Sequence, residues 1–309
     1  MDWTVTAGDN GATVKEFIAS HIRLSTKMLK YLKYRNDGIL VNGEQCTVRR
    51  VLRAGDVLTL ALEDRSSAEE LEAVELPLEI LYEDGELVVP SKPPRMPTHP
   101  SHNHYNDTVA NALAYRYARQ GVPFVFRPVN RLDRDTSGLL IIARNKRAAG
   151  LLTQALQEHR FRKTYLAVLE GEMETDGGTV EKPLHRTEKS IIVREVCSPD
   201  APDAEPARTE FRVLARGNGC TLVEAQPITG RTHQLRVHFA SLGHPIAGDS
   251  LYGIPNGRID RQALHAYTLT FPHPITQEIL SLRAPIPADL RQLIGACFPH
   301  FTEESESPT

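Results

Sequence analysis

The chain of 309 residues has four cysteines, few aromatic residues and no long apolar run. Its cysteines never form a CxxC pair, which excludes a paired-cysteine zinc site and a thiol-exchange motif. The longest apolar runs, such as residues 138–143, are far too short to cross a bilayer. The N-terminus lacks a basic start followed by an apolar stretch, so we expect a cytoplasmic protein.

The net charge of −3 conceals strong local differences. Residues 15–53 hold nine lysines and arginines against three acids, and residues 127–163 have the same imbalance. Residues 56–86, in contrast, hold eleven acids and a single arginine. Two basic segments in a chain that is acidic overall predict a localised surface for nucleic acid.

Composition divides the chain into two domains. Residues 63–75 are acidic and lack apolar periodicity, so they predict a linker. It separates a small α/β front domain, residues 1–62, from a large domain, residues 76–300. The large domain alternates strand-like and helix-like segments, which predicts an α+β fold. Residues 301–309 form an acidic tail.

Local patterns predict individual elements. In the front domain we expect helices over residues 13–20 and 25–34 with Thr13 and Ser25 as N-caps, a hairpin turning at Asn42-Gly43 between residues 39–41 and 44–48, and a strand over residues 56–62. In the large domain we expect strands over residues 79–89, 139–143, 164–169 and 221–225, helices over residues 146–160 and 233–242, and a loop over residues 198–207.

The densest polar cluster, residues 127–138, directly precedes an apolar strand. Asp133 has Arg131 and Arg134 as near neighbours, and their charges would favour its ionised form if the side chains converge. An ionised carboxylate in a basic pocket can act as nucleophile or base. The local string is equally compatible with a capped turn that carries a surface ion pair.

A second cluster, residues 226–238, reads as a glycine-containing turn that leads into a helix. The helix N-terminus and two arginines suit an anion, whether phosphate or carboxylate. His233, His238 and His244 raise the possibility of a metal, but they are five and six residues apart rather than three or four. We therefore do not expect a metal here, nor at the histidine-rich loop of residues 99–104.

Several strings together resemble the large-subunit-type (RluA-like) pseudouridine synthases over residues 76–299. They occur in the family's order and are Ile80-Leu81-Tyr82-Glu83-Asp84, Lys92-Pro93, Pro97-Thr98-His99-Pro100-Ser101, Arg131-Leu132-Asp133, Thr136-Ser137-Gly138-Leu139-Leu140, Lys163-Thr164-Tyr165-Leu166-Ala167, Thr229-Gly230-Arg231-Thr232-His233-Gln234-Leu235-Arg236, Gly248-Asp249 and Tyr252-Gly253. The basic front domain resembles the S-four-type RNA-binding domain often attached to these enzymes.

The resemblance implies a mixed, largely antiparallel sheet flanked by helices, and conversion of RNA uridine to pseudouridine without cofactor or metal. Asp133 matches the family's catalytic aspartate, which either attacks the nucleoside or removes a ribose proton; the sequence leaves both routes open. Tyr165 matches the tyrosine that stacks on the target base and helps to remove a proton. Arg231 matches the arginine that pairs with the aspartate. Arg131 matches a residue that fills the space left by the extruded uridine.

The resemblance implies that the substrate is ribosomal or transfer RNA. We expect the enzyme to be monomeric and not to associate with a membrane. The front-domain residues expected to bind it are Lys27, Lys30, Lys33 and Arg35. A non-catalytic RNA-binding or ribosome-assembly protein with the same fold is the main alternative. A glycoside hydrolase using Asp133 and Asp135 would leave the basic segments unexplained.

Two positions depart from the family pattern. Asn130 stands where the family usually has histidine, and Pro90-Ser91-Lys92-Pro93 replaces the usual asparagine-lysine-proline. Neither change involves the matched aspartate, tyrosine or arginine. We therefore expect an effect on loop geometry or RNA preference.

Overall fold

A computed structural model describes residues 1–22, 24, 26–35, 37–62, 71–188, 190, 192–254 and 257–302. The α-helices are α1 Val14–Phe17, α2 Thr26–Lys33, α3 Val109–Arg119, α4 Lys146–Gln157, α5 Gln234–Ala240 and α6 Ala288–Cys297. The strands are β1 Asp2–Thr4, β2 Ile39–Val41, β3 Glu44–Gln45, β4 Val57–Leu60, β5 Glu79–Glu83, β6 Leu87–Lys92, β7 Ser137–Leu139, β8 Ile142–Ala143, β9 Arg162–Glu170, β10 Gly177–Glu181, β11 Leu184–Arg186, β12 Arg194–Val196, β13 Arg208–Gly217, β14 Cys220–Pro227, β15 Leu264–Pro272 and β16 Ile279–Arg283.

The front domain folds around its own sheet, in the order β1-β4-β2-β3. The predicted hairpin is confirmed: Asn42 and Gly43 both have positive φ, as the tight turn requires, although β3 ends at Gln45. Thr13 caps α1 in a capping box with Glu16, as predicted, but the helix continues as a π-turn after Phe17. The other proposed cap, Ser25, lies outside the described residues.

A ten-stranded sheet in the order β10-β13-β14-β9-β15-β7-β6-β5, with β16 beside β15 and β8 beside β6, forms the large domain. Within the described chain, β7 and β15 are the one parallel pair, so the sheet is mixed and largely antiparallel, as predicted. This parallel seam is tight because a Cβ on Gly138 would lie 2.1 Å from the carbonyl oxygen of Ala266. Gly138, with φ of 109°, is therefore required for the two halves of the sheet to meet.

The predicted strand over residues 79–89 is wrong, because a turn divides it into β5 and β6. Asp84 makes this turn by accepting hydrogen bonds from the backbone N–H groups of Glu86 and Leu87 at 2.7 and 2.9 Å. The strand over residues 139–143 is likewise two short strands, β7 and β8. Helices α3 and α6 and strands β10–β13, β15 and β16 were not anticipated.

Apolar side chains of β9, β14 and β15 form the main core on the face where α5 and α6 pack. Phe239 of α5 meets Phe211 of β13 edge to face at 5.6 Å between ring centroids. Helix α4 covers a second cluster through Ala148 and Leu152. The sheet between these layers is the rigid support from which the polar segments around residue 133 and residue 233 extend.

The linker and the tail are only partly described. Residues 63–70 of the predicted linker and residues 303–309 of the predicted tail lie outside the described residues. The domain boundaries drawn from composition therefore stay predictions.

Candidate active site

The loop that carries Asp133 is fixed on both sides by buried polar groups. The Thr98 hydroxyl donates to the carbonyl of Leu132 at 3.0 Å and accepts from its N–H at 3.3 Å. The ammonium of Lys92 donates to the carbonyls of Arg134 and Met96 at 2.7 and 2.8 Å. Because these bonds hold the backbone before and after Asp133, its carboxylate projects from a fixed base.

Lys92 itself is in an unusual environment. Its side chain is almost fully buried, at 1% exposed. Burial lowers the pKa of Lys92 to about 7, while the nearby charges of Asp135 and Asp133 act in the opposite direction. Three carbonyl acceptors, the third being Pro93 at 2.9 Å, match the three donors of the charged form.

The partner of Asp133 is Arg236 of α5. Nη1 of Arg236 donates to Oδ2 of Asp133 at 3.2 Å. The other side of the guanidinium is bound in two places by Asp249, at 2.6 and 2.8 Å, and both of these side chains are buried. Although burial opposes the charged form, the hydrogen bonds and charges of Asp249 and Asp133 raise the pKa of Arg236. Arg236 is therefore a permanent cation aimed at Asp133.

The predicted pairing of Arg231 with Asp133 is wrong. Arg231 lies before α5, and its guanidinium donates to the carbonyl of Pro206 at 3.0 Å and to the Glu205 carboxylate at 3.3 Å. The motif contains two arginines, and sequence spacing alone does not choose between them. The spacing within the predicted helix indicated which arginine faces inward. Arg236 is three residues before the inward-facing Phe239 and so lies on the same face of the helix.

Tyr165 lies on β9, between Ala225 of β14 and Ala266 of β15. Tyr165 is partly buried and lines the cleft. Burial, and secondly the charge of Asp133, raises the pKa of Tyr165. The phenol is therefore neutral at physiological pH, which suits a stacking surface better than a base.

A third polar residue at the carboxylate is His233, which the sequence offered only as a metal ligand that we did not expect. It begins α5 in the left-handed conformation, with φ of 57°. Its Nε2 lies 3.7 Å from Oδ2 of Asp133, and its Nδ1 lies 2.8 Å from the Tyr252 hydroxyl. The same hydroxyl accepts the backbone N–H of Arg194 at 2.9 Å. Burial lowers the pKa of His233.

These groups line a cleft of about 240 Å³ between the two polar clusters of the sequence. The volume is below the roughly 300 to 1,000 Å³ of drug-sized pockets and suits one nucleobase with part of its sugar. Its lining residues are Val129, Asn130, Arg131, Leu132, Asp133, Thr136, Leu156, Lys163, Tyr165, Pro227, Thr229, Gly230, Arg231, Thr232, His233, Gln234, Leu235, Arg236 and Leu264. The predicted site residues Asp133, Tyr165, Arg231 and Arg131 are thus brought together; Arg131 is exposed and Arg231 is half exposed.

Asn130 has a structural role in this cleft. Its carboxamide accepts the N–H of Ile141 at 2.8 Å and its amide group lies 3.4 Å from the carbonyl of Leu139. These contacts bridge the break between β7 and β8. At position 130, where the family usually has histidine, this chain therefore uses asparagine to support the loop.

Comparison with known proteins supplies the family. Residues 86–241 match the family model described as RNA pseudouridylate synthase. The chain belongs to this family. It is 40% identical over 282 residues to the uncharacterized RNA pseudouridine synthase YjbO of Bacillus subtilis (strain 168), covering 91% of this chain and 98% of that relative. It is 38% identical over 275 residues to the ribosomal large subunit pseudouridine synthase D of Vibrio parahaemolyticus, covering 82% of this chain and 80% of that one.

A solved structure agrees with this assignment. Human RNA pseudouridylate synthase domain containing 1 shares 31% identity and a TM-score of 0.57, over 72% of this chain and 86% of that chain. The protein is accordingly an RluA-like RNA pseudouridine synthase with the α+β fold of its family. This membership excludes the glycoside hydrolase reading, and Asp135 is instead bound to Arg134 at the surface, at 3.1 Å.

The front-domain cations of this pseudouridine synthase differ in their surroundings. Lys30 and Lys33 of α2 are exposed, whereas Arg35 is bound in two places by Asp37 at 2.9 Å. The side chain of Lys27 lies outside the described residues. Helix α2 lies beside α4, whose Leu156 lines the cleft. The front domain therefore packs beside the helix that borders the active site.

The described residues offer neither a membrane-spanning helix nor a metal-binding cluster. None of their helices is long and apolar enough to span a membrane. No group of three or more His, Cys, Asp or Glu side chains among them is arranged to hold a metal ion.

Proposed function

We propose that this enzyme converts uridines of ribosomal RNA to pseudouridine with Asp133 as the catalytic residue. The observation that carries the proposal is the position of the Asp133 carboxylate. It faces a nucleobase-sized cleft, is fixed by the buried Arg236–Asp249 pair, and lies close enough to Tyr165 to influence its pKa. A carboxylate so placed can be ionised, aimed and partly shielded from water, as a nucleophile or base requires.

The reaction is an isomerisation that needs no further reactant. The bond between uracil N1 and ribose C1′ breaks, the uracil turns within the cleft, and a bond forms between C5 and C1′. The proton lost from C5 is balanced by a proton gained at N1. Asp133 could promote cleavage either by attacking C1′ or by removing the proton at C2′, and its position supports both routes.

Other residues of the cleft would assist. A uridine stacked in RNA is inaccessible, so it must be extruded at a cost of a few kcal/mol. Stacking on Tyr165 offsets part of that cost, at about 1 to 3 kcal/mol per base. Arg236, rather than Arg231, orients the Asp133 carboxylate. The exposed Arg131 and the half-exposed Arg231 at the rim suit contacts with RNA, Arg131 by occupying the space that the uridine leaves.

The substrate class rests on the relatives and on charge. Several relatives are named for the ribosomal large subunit, and we extend that substrate to this chain; transfer RNA is the alternative. We further propose that residues 1–62 are an S-four-type RNA-binding domain whose exposed Lys30 and Lys33 contact phosphates. Such an enzyme would act in the cytoplasm, where ribosomes are assembled.

The decisive test is Asp133→Asn, a nearly isosteric change that removes the charge. Single-turnover pseudouridine formation should fall by roughly 10⁴-fold or more, while RNA affinity and the melting temperature change little. Asp135→Asn is the matched control, since that carboxylate is two residues away and bound to Arg134, and it should keep near-normal turnover. Normal turnover by folded Asp133→Asn would refute the role of Asp133, and RNA binding without product in the wild type would favour the non-catalytic alternative. Mapping pseudouridines in cells with and without the protein identifies the RNA.

A further inference from the structure

His233 has a strained backbone at the edge of the cleft. A left-handed conformation is uncommon for residues other than glycine and costs of order 1 kcal/mol or more. The turn of residues 229–232 nevertheless ends in it, and the imidazole is 10% exposed. In this backbone conformation, one nitrogen of the imidazole faces Tyr252 and the other faces Asp133.

The tautomer of this imidazole follows from its hydrogen-bond network. The Tyr252 hydroxyl oxygen accepts the N–H of Arg194, so its own proton is left to donate, and the acceptor 2.8 Å away is Nδ1 of His233. A neutral imidazole whose Nδ1 accepts must carry its proton on Nε2. That proton faces Oδ2 of Asp133 across 3.7 Å. Hydrogen bonds of active sites are often long before substrate binds and shorten in the complex.

Burial favours the neutral form of the ring. Burial is the largest influence and lowers the pKa of His233; the charges of Asp133 and Asp249 oppose it, and those of Arg236 and Arg194 add to it. Tyr252 is held in place because its ring lies under the Arg236 guanidinium, 5.1 Å from the centroid, and its N–H is bound by Asp249. The ring therefore lies between a fixed phenol and the carboxylate.

We propose that His233 is a positioning residue that donates its Nε2–H to Asp133, with the tautomer set by Tyr252. Asp133 then has two donors on one oxygen, Arg236 from one direction and His233 from another, which leaves Oδ1 free to face the nucleoside. The inference rests on the proposed role of Asp133, and it adds a neutral donor to the charged one.

Two substitutions at the same position separate donation from packing. His233→Gln keeps an N–H donor of similar reach, whereas His233→Leu keeps bulk without a donor. Misplacing a reacting group by about 1 Å can cost roughly 100-fold, so we expect His233→Leu to lose roughly 10- to 100-fold in single-turnover rate and His233→Gln to lose less than about fivefold. RNA affinity should stay within about twofold for both. Below the pKa of His233 the wild-type rate should fall as imidazolium forms, and His233→Gln should lack that inflection.

His159 provides a matched control. It is also left-handed, with φ of 55°, but it is exposed at the end of α4. His159→Gln and His159→Leu place the same residues in a left-handed backbone conformation, but away from Asp133. They should therefore leave the rate unchanged. Equal losses in His233→Gln and His233→Leu at unchanged melting temperature would overturn the proposal, as would full activity in His233→Leu.

A measurement independent of turnover reads the tautomer directly. Two-bond ¹⁵N–¹H spectra of protein labelled at histidine, with His233 identified by its loss in His233→Gln, should give a neutral Nε2–H ring at pH 7. In Tyr252→Phe the Nδ1–H form should become populated. If the wild-type ring carried its proton on Nδ1, or carried protons on both nitrogens at pH 7, the inference would be refuted. That outcome does not depend on whether the enzyme is active. Conversely, inactivity of the wild type with an Nε2–H ring would refute the proposed function and leave the positioning contact supported.

Discussion

Exposed cations of the front domain and buried cations beside the cleft act in opposite ways. On α2 of the front domain, Lys30 and Lys33 are exposed. Around the cleft, Lys92, Arg236 and Arg261 are 1%, 5% and 3% exposed, and each is bound by carbonyls or carboxylates of the protein. A count of charges along the sequence does not distinguish these two sets. Only burial separates cations that are available to RNA from cations that hold the site together.

The difference has a measurable consequence. Exposed cations act on phosphates through counterion release, so their effect falls as salt rises. Buried cations are little screened, and they fix geometry instead. Salt should therefore change how tightly RNA binds, whereas proton concentration should act through the buried network.

The largest effect should come from the buried region, at Arg236. Arg236→Met removes the positive charge that is paired with the buried Asp249. An unpaired buried charge lowers the free energy of unfolding by about 3–5 kcal/mol. Turnover of whatever protein folds should fall by about 10²- to 10³-fold, because Asp133 loses its donor. Arg231→Met is the matched control, since that arginine is half exposed and bound to Glu205; its unfolding free energy should change by less than about 0.5 kcal/mol. Urea unfolding with single-turnover assays compares them, and equal losses would restore Arg231 as the partner.

The second effect is a dependence of stability on pH. Burial lowers the pKa of His265 to about 4, and its Nδ1 bonds the Ser137 hydroxyl at 2.9 Å. Because the unfolded chain takes up this proton near pH 6.5 and the folded chain only near 4, stability is present above pH 6.5 and is lost as pH falls toward 4. Between pH 7 and 4.5 this should amount to about 2 kcal/mol. Urea unfolding at both pH values should show a smaller difference in His265→Gln than in the wild type or in the exposed His300→Gln.

The third effect belongs to the exposed region. Lys30→Gln with Lys33→Gln should weaken RNA binding by about tenfold and reduce the slope of log affinity against log salt by about 1 to 2 units. The rate at saturating RNA should be nearly unchanged. Arg119→Gln, an exposed change on α3 outside both basic regions, removes one positive charge and is the control for each of the two single lysine variants. Binding curves at several salt concentrations test this, and an unchanged slope would exclude α2 from the RNA interface.

The smallest effect is expected at Asn130. In Asn130→His an imidazole nitrogen can still accept the N–H of Ile141, so turnover should stay within about threefold and the melting temperature within about 2 °C. A single-turnover assay beside a thermal melt measures both. A large gain in rate would mean that Asn130 limits the chemistry rather than supporting the loop.

Sequence patterns predicted the fold class and the cleft better than the contacts inside it. The cluster at Asp133 and the strand at Tyr165 were visible because polar motifs beside apolar runs recur at such sites. The sequence did not show whether Arg231 or Arg236 pairs with Asp133, because that depends on which arginine the first turn of α5 directs inward. The hairpin at Asp84 was missed because hydrogen bonds to its carboxylate, rather than apolar periodicity, make the turn.

The seam between β7 and β15 joins segments that are synthesised far apart in time. Asp133 is translated about a hundred residues before Arg236, and the strand that meets Gly138 comes later still, at Ala266. A nascent chain that has reached only the first half of the sheet holds the carboxylate without its ion pair and without its support. We expect partial chains on the ribosome to be inert, so that no polypeptide able to break a glycosidic bond exists before the one able to remake it.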